Sequence, residues 1–153
     1  MSQIEQRLKE LGYELPECPA PMAAYVPAVL INGFVYVSGQ TPLVDGVLKY
    51  KGKVGIDVSE EQAYESARIC ALRMIAALKF AVGDLDRVER IVKVTGFVNS
   101  TGDFGNQPKV INGASEFLEK VFGEKGKHAR SAVGTSSLPM DTPVEVEMIA
   151  AVK

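Results

Sequence analysis

A chain of 153 residues with 17 basic and 19 acidic side chains, a net charge of -2 and one histidine suits a single α/β domain and leaves little room for a second. At this length folding buries roughly 70% of the surface of the unfolded chain. No disulfide staple is required, and neither Cys18 nor Cys70 has a neighbour at metal-ligand spacing. The mixed charges offer no basic stripe for a phosphate backbone, and no stretch reaches the ~20 apolar residues of a membrane span. Residues 1–12 lack the apolar centre of a signal peptide, so the expectation is a soluble cytoplasmic protein with reduced thiols and no nucleic-acid or membrane partner.

Residues 2–12 predict a short amphipathic helix. Ser2 and Glu5 form a capping box, Ile4, Leu8 and Leu11 share a face, and Gly12 ends it. Pro16, Pro19 and Pro21 then impose an extended connector, which separates an N-terminal segment, 1–22, from a domain spanning 23–153. Two β-rich runs, 23–31 and 34–38, flank Asn32-Gly33, a pair suited to a type I′ hairpin turn. Asp45-Gly46 marks a possible short edge hairpin within 44–53.

The longest helix is expected over 59–82. Ser59 and Gln62 make its capping box, Gly83 stops it, and Ala63, Ala67, Cys70, Ala71, Met74, Ile75, Leu78 and Val82 follow helical spacing. Residues 88–99 read as a strand with Val92, Val94, Gly96 and Val98 on one face and Ile91 and Phe97 opposed. Pro108 sits in the first turn of another helix, whose buried face is Val110, Ile111, Ala114, Phe117, Leu118 and Val121. Strands at 131–136 and 143–152 close the chain. The resulting β-β-α-β-α-β-β order predicts an α+β domain with two helices on one face of a mixed sheet. The apolar share of the other face, assigned to residues including Val94 and Val98, suggests burial against other subunits.

No phosphate loop is present, because Gly39-Gln40-Thr41-Pro42 and Gly102-Asp103-Phe104-Gly105 are sparse in glycine and lack the following lysine. His128 reads as an exposed loop residue. Without it there is no Ser-His-Asp chemistry, so an enzyme here works by binding, charge stabilisation and water activation. The notable constellation is C-terminal: Arg130 at the start of a strand, Leu138-Pro139, then Glu145 and Glu147 on one side of an apolar final strand. An arginine at a strand mouth beside such a carboxylate is also compatible with a surface ion pair worth ~0–1 kcal/mol.

Arg130-Ser131, Leu138-Pro139 and Val144-Glu145-Val146-Glu147 with Ile149-Ala150 resemble the C-terminal signature of the YjgF/RidA family. Tyr25 with Ser38-Gly39-Gln40, the strand 91–98, and Val110-Ile111-Asn112 with Phe117-Leu118 resemble three further blocks in order. The resemblance runs from about Tyr25 to the C-terminus. It implies a chorismate-mutase-like homotrimer with a cleft between subunits and no cofactor. By the same resemblance, Arg130 binds the carboxylate of an imine substrate, Glu145 positions water, and Tyr25, Ser38, Gly39, Asn112 and the backbone at Ala132 line the cleft.

The implied reaction is hydrolysis of a reactive enamine or imine acid of the 2-aminoacrylate type to a 2-oxo acid and ammonia. Ala132 stands where the family commonly has cysteine, so any role of a thiol is lost. This departure keeps open a non-catalytic trimer that binds small carboxylates. A ribonuclease fits poorly with the balanced charge and the lack of a histidine pair. At single positions Tyr25 could be an interface strand residue, Ser38-Gly39 a strand exit, and Asn112 a helix residue facing solvent or bonding a loop.

Overall fold

A computed structural model describes residues 1–18 and 24–153. Pro19, Pro21 and Ala23, part of the expected connector and first strand, lie outside the described residues. Helix α1 (Gln3–Glu10) is followed by strands β1 (Ala28–Ile31) and β2 (Phe34–Gln40) and a small hairpin of β3 (Leu43–Val44) and β4 (Val47–Leu48). Helix α2 (Glu60–Val82), strand β5 (Val88–Asn99), helix α3 (Gln107–Phe122), and strands β6 (Ala129–Thr135) and β7 (Val144–Val152) complete the chain. The main sheet has the order β1-β2-β7-β5-β6, antiparallel except for the parallel β5–β6 pair that α3 bridges.

The hairpin turns form as their sequences require. Asn32 and Gly33 take φ of 50° and 79°, and Asp45 and Gly46 take 51° and 78°. Both capping boxes are present, Ser2 with Glu5 and Ser59 with Gln62. Every residue expected on the apolar faces of α2 and α3 is buried. The two helices meet so closely that a Cβ on Gly113 would lie 2.0 Å from the Tyr64 carbonyl oxygen. Only glycine admits that approach.

Four expectations need correction. The first strand begins at Ala28 rather than at 23. Three helices pack on the domain, not two: Leu8 of α1 is fully buried, Asp86 accepts from the Gln3 and Ile4 amides, and Lys79 pairs with Glu5. The Lys79 bond, reinforced by the Ser2 amide, lowers the Glu5 carboxyl to about 2. A register shift between Ile91 and Lys93 turns Ile91 into the core with Val94, leaving Val92 half-buried. Finally, Val94 and Val98 lie fully buried in the core with α2 and α3, so they do not form the uncovered face. That face instead carries Val29, Ile31, Phe34, Tyr36 and Val133, all exposed, in register with Ile149, Phe97 and Glu145.

Candidate functional site

Arg130 is the second residue of β6, an edge strand, and pairs in register with core-facing Val94. Its side chain therefore leans toward α3 rather than the uncovered face. Nη1 donates to Asn112 Oδ1 at 2.7 Å and to Ser115 Oγ at 3.2 Å. Asn112 and Ser115 are three residues apart, which puts both on the helix face that looks at the strand edge. Asn112 is thus engaged with Arg130 and only half-buried, not simply solvent-facing.

His128 joins this cluster and corrects the expectation of a free loop residue. Nδ1 lies 2.7 Å from the Gly126 carbonyl oxygen and Nε2 2.8 Å from Ser115 Oγ. A carbonyl only accepts, so Nδ1 carries the proton and Nε2 accepts from the serine hydroxyl. Burial lowers the imidazole pKa and the nearby Arg130 charge pushes the same way, against the Gly126 bond. A neutral histidine therefore orients Ser115, and Ser115 presents its lone pairs to the guanidinium. These groups line a shallow cavity of about 290 Å³ shared with Glu116, Glu119 and Lys127.

The remaining site residues gather elsewhere. Ser38 N–H and Oγ–H donate to the Pro27 and Val26 carbonyls at 2.9 and 2.7 Å, tying the segment after Tyr25 against β2. The exposed Tyr25 ring, Gly39, Gln40, Met140 and Glu145 line a larger cleft of about 890 Å³. Glu145 alternates with core-facing Val144 and Val146 and so leaves the helix-covered row. A Cβ on Gly39 would lie 3.1 Å from the Glu145 carboxyl carbon, so glycine gives that carboxylate its place. Burial raises the Glu145 pKa and the Glu147 charge adds to it. That favours proton uptake from a nucleophile near neutrality.

The two cavities share no lining residue. Within one chain Arg130 and Asn112 therefore sit together, Tyr25, Gly39 and Glu145 sit together, and the groups do not join. Half-buried Ala132 lines neither cavity. No cluster of three or more His, Cys, Asp or Glu side chains suited to a metal occurs among the described residues, and no helix is long and apolar enough to cross a membrane.

A family profile described as "YjgF/chorismate_mutase-like, putative endoribonuclease" matches residues 5–152. The chain belongs to the YjgF/RidA family. Its mixed α+β architecture matches the family fold. Atu1372 from Agrobacterium tumefaciens, a solved structure of unknown function, aligns with a TM-score of 0.92 at 44% identity, covering 98% of this chain and 92% of that one. Protein TCP17 of Trypanosoma cruzi is 41% identical over 95% of this chain and 92% of its own length. The 2-iminobutanoate/2-iminopropanoate deaminase of Salmonella typhimurium is 34% identical over 86% of this chain and 90% of its own.

Sequence reasoning missed Ser115, His128 and Arg73. Ser115 had a signal, its i+3 spacing from Asn112. Arg73 had another, a charge set within the buried run of α2. Nothing local linked His128 to Ser115, because that contact exists only once α3 packs on the β6 edge.

Proposed function

We propose that this protein is a homotrimeric imine/enamine deaminase. Each site is completed when the Arg130 edge of one protomer closes onto the Glu145 cleft of its neighbour. The observation that carries this reading is the division of the site residues into two separate halves, one holding a cation and the other a carboxylate with raised pKa. An exposed apolar group on the sheet face, Val29, Ile31, Phe34 and Tyr36, paired across β1 and β2, supports association, since an exposed apolar patch usually marks an interface. The similarity to the Salmonella typhimurium deaminase supports the reaction class.

The chemistry follows from the donors. Arg130, steadied through Nη1 by Asn112 and Ser115, offers its remaining N–H groups to the substrate carboxylate as a planar fork. Tyr25 covers the ligand. Glu145 takes a proton from a water as its oxygen adds to the imine carbon and hands that proton to the nitrogen; the hydroxyl proton of the resulting aminol then passes to the nitrogen as the C–N bond breaks and the carbonyl forms. Ammonia and a 2-oxo acid leave, and the carboxylate is regenerated. General-base assistance contributes typically 10²–10⁴-fold, sufficient for an imine that already hydrolyses in water. Neither a thiol nor a metal takes part in these steps, so Ala132 does not impair them.

The test is release of 2-oxo acid from a short-lived enamine generated in situ by a dehydratase. We expect wild type to accelerate it and Arg130→Ala to match the uncatalysed rate. Equal rates with and without wild-type protein, together with carboxylate binding, would instead identify a non-catalytic binder.

A further inference from the structure

We propose that Arg73 forms a second anion-binding position in the Glu145 cleft, one that takes the side-chain carboxylate of a dicarboxylic imine. The proposal rests on the deaminase reading above and specifies its substrate class. Arg73 projects from α2 beside Cys70, Ala71, Met74 and Ile75, four fully buried neighbours. A half-buried guanidinium in such a place is destabilising unless its donors are satisfied.

They are not. Nη1 makes one long bond, 3.3 Å, to the Leu43 carbonyl, and the covered Nε has no acceptor. Glu17, Asp45 and Glu145 line the same cleft, yet no described carboxylate forms an ion pair with Arg73. Burial, then the Glu147 charge, raise the Glu145 pKa, and Arg73 does not offset them. Glu17 and Asp45 are exposed and solvated, whereas Arg73, the one cation on the cleft wall among the described residues, is half-buried. Their field is screened in a way that a direct contact with Arg73 is not.

Placement then fixes the ligand. If the α-carboxylate lies on the neighbour's Arg130 and the C=N carbon faces Glu145, the side chain extends into the rest of the 890 Å³ cleft toward α2. A carboxylate there meets the outer end of the planar guanidinium, where Nη2 and the second N–H of Nη1 favour bidentate binding while the covered Nε stays out of reach. The reaction is otherwise unaltered. Water adds to the imine carbon, the C–N bond breaks, ammonia leaves, and the distal carboxylate remains intact in a dicarboxylic 2-oxo acid.

The experiment compares two imines made in situ by flavin amino-acid oxidases with molecular oxygen: 2-iminobutanoate and 2-iminoglutarate. Semicarbazide trapping reports the imine that escapes hydrolysis. We expect wild type to have the lower KM for the diacid, and Arg73→Gln to raise that KM about tenfold or more while leaving the monoacid within about twofold. Arg73→Lys, which keeps the charge but not the fork, should fall between them. It carries the comparison if melting shows Arg73→Gln to be unfolded.

Equal effects on both imines, or no diacid preference in wild type, would overturn the subsite alone. Calorimetry with 2-oxoglutarate and 2-oxobutanoate separates the two layers. Arg73-dependent binding of 2-oxoglutarate without turnover of either imine would refute the deaminase reading and leave the subsite standing.

Discussion

The two halves of the candidate site are built on opposite principles. At the β6 edge, Arg130 is engaged by Asn112 and Ser115, and Ser115 is fixed in turn by a neutral His128. In the Glu145 cleft no hydrogen bond to the carboxylate and no acceptor for Arg73 Nε occur among the described residues, and Tyr25 is exposed. One half is preorganised to present a cation. The other carries a carboxyl of raised pKa and a guanidinium whose outer nitrogens a ligand or a neighbouring protomer can engage. Binding groups gain from rigidity, whereas a general base gains from a desolvated setting.

The largest effect expected from this contrast is chemical. Glu145→Gln should lower kcat by about 100-fold or more. Its thermal stability should be unchanged or raised, because the amide removes the burial penalty on the carboxylate. The sign follows from the raised folded pKa: the folded protein binds that proton more tightly than the unfolded chain, so stability falls as pH rises past the ordinary carboxylate value and the loss is complete above the folded value. A melting temperature that falls with the activity would show Glu145 to be structural. The kcat profile of wild type should lose activity on acidification at a pH above the ordinary carboxylate range.

Next in size, Gly39→Ala should displace Glu145, since the new methyl would stand 3.1 Å from the carboxyl carbon. We expect kcat to fall about tenfold with little change in melting, in keeping with the sensitivity of general bases to placement. Full activity would show the cleft tolerates a shifted carboxylate.

A smaller, pH-dependent effect belongs to the other half. The His128 pKa is lowered, so the unfolded chain binds its proton more readily and stability should decline as pH drops below about 6.5. His128→Ala should flatten that decline in urea titrations. It should also raise KM more than it lowers kcat, because it acts on Arg130 through Ser115. An unchanged pH slope would remove His128 from the Arg130 support.

Smallest is the N-terminal helix, which belongs to neither half. Ser2→Ala removes a capping box and should cost about 1 kcal/mol, read by denaturant melts, without altering turnover.

Much of this arrangement was legible in the sequence wherever the deciding physics is local. The capping boxes at Ser2 and Ser59, the Asn32-Gly33 turn and the buried faces of α2 and α3 depend on neighbours a few residues apart, and all formed as read. What failed was long-range. The bulge near Ile91 is a mismatch between β5 and β7, so alternation within β5 alone misassigned Val92, and nothing within β5 says which of its faces the helices cover. The docking of α1 depends on Asp86 and Lys79, far along the chain. Arg130, Asn112 and Glu145 stood out by motif, but their division into two cavities needed the register of five strands and the placement of α3 beside β6. Arg73 could have been noticed as a charge among buried helix positions. Its missing acceptors could not.

The proposed joining of the halves across protomers can be tested directly by complementation. Arg130→Ala and Glu145→Gln, each inactive alone, are mixed in equal amounts, unfolded and refolded together, and assayed for imine hydrolysis. Random assembly of trimers leaves about one cleft in four with both residues intact, so about a quarter of wild-type activity should return. If the mixture stays as inactive as its components while forming mixed trimers, Arg130 and Glu145 do not meet across an interface.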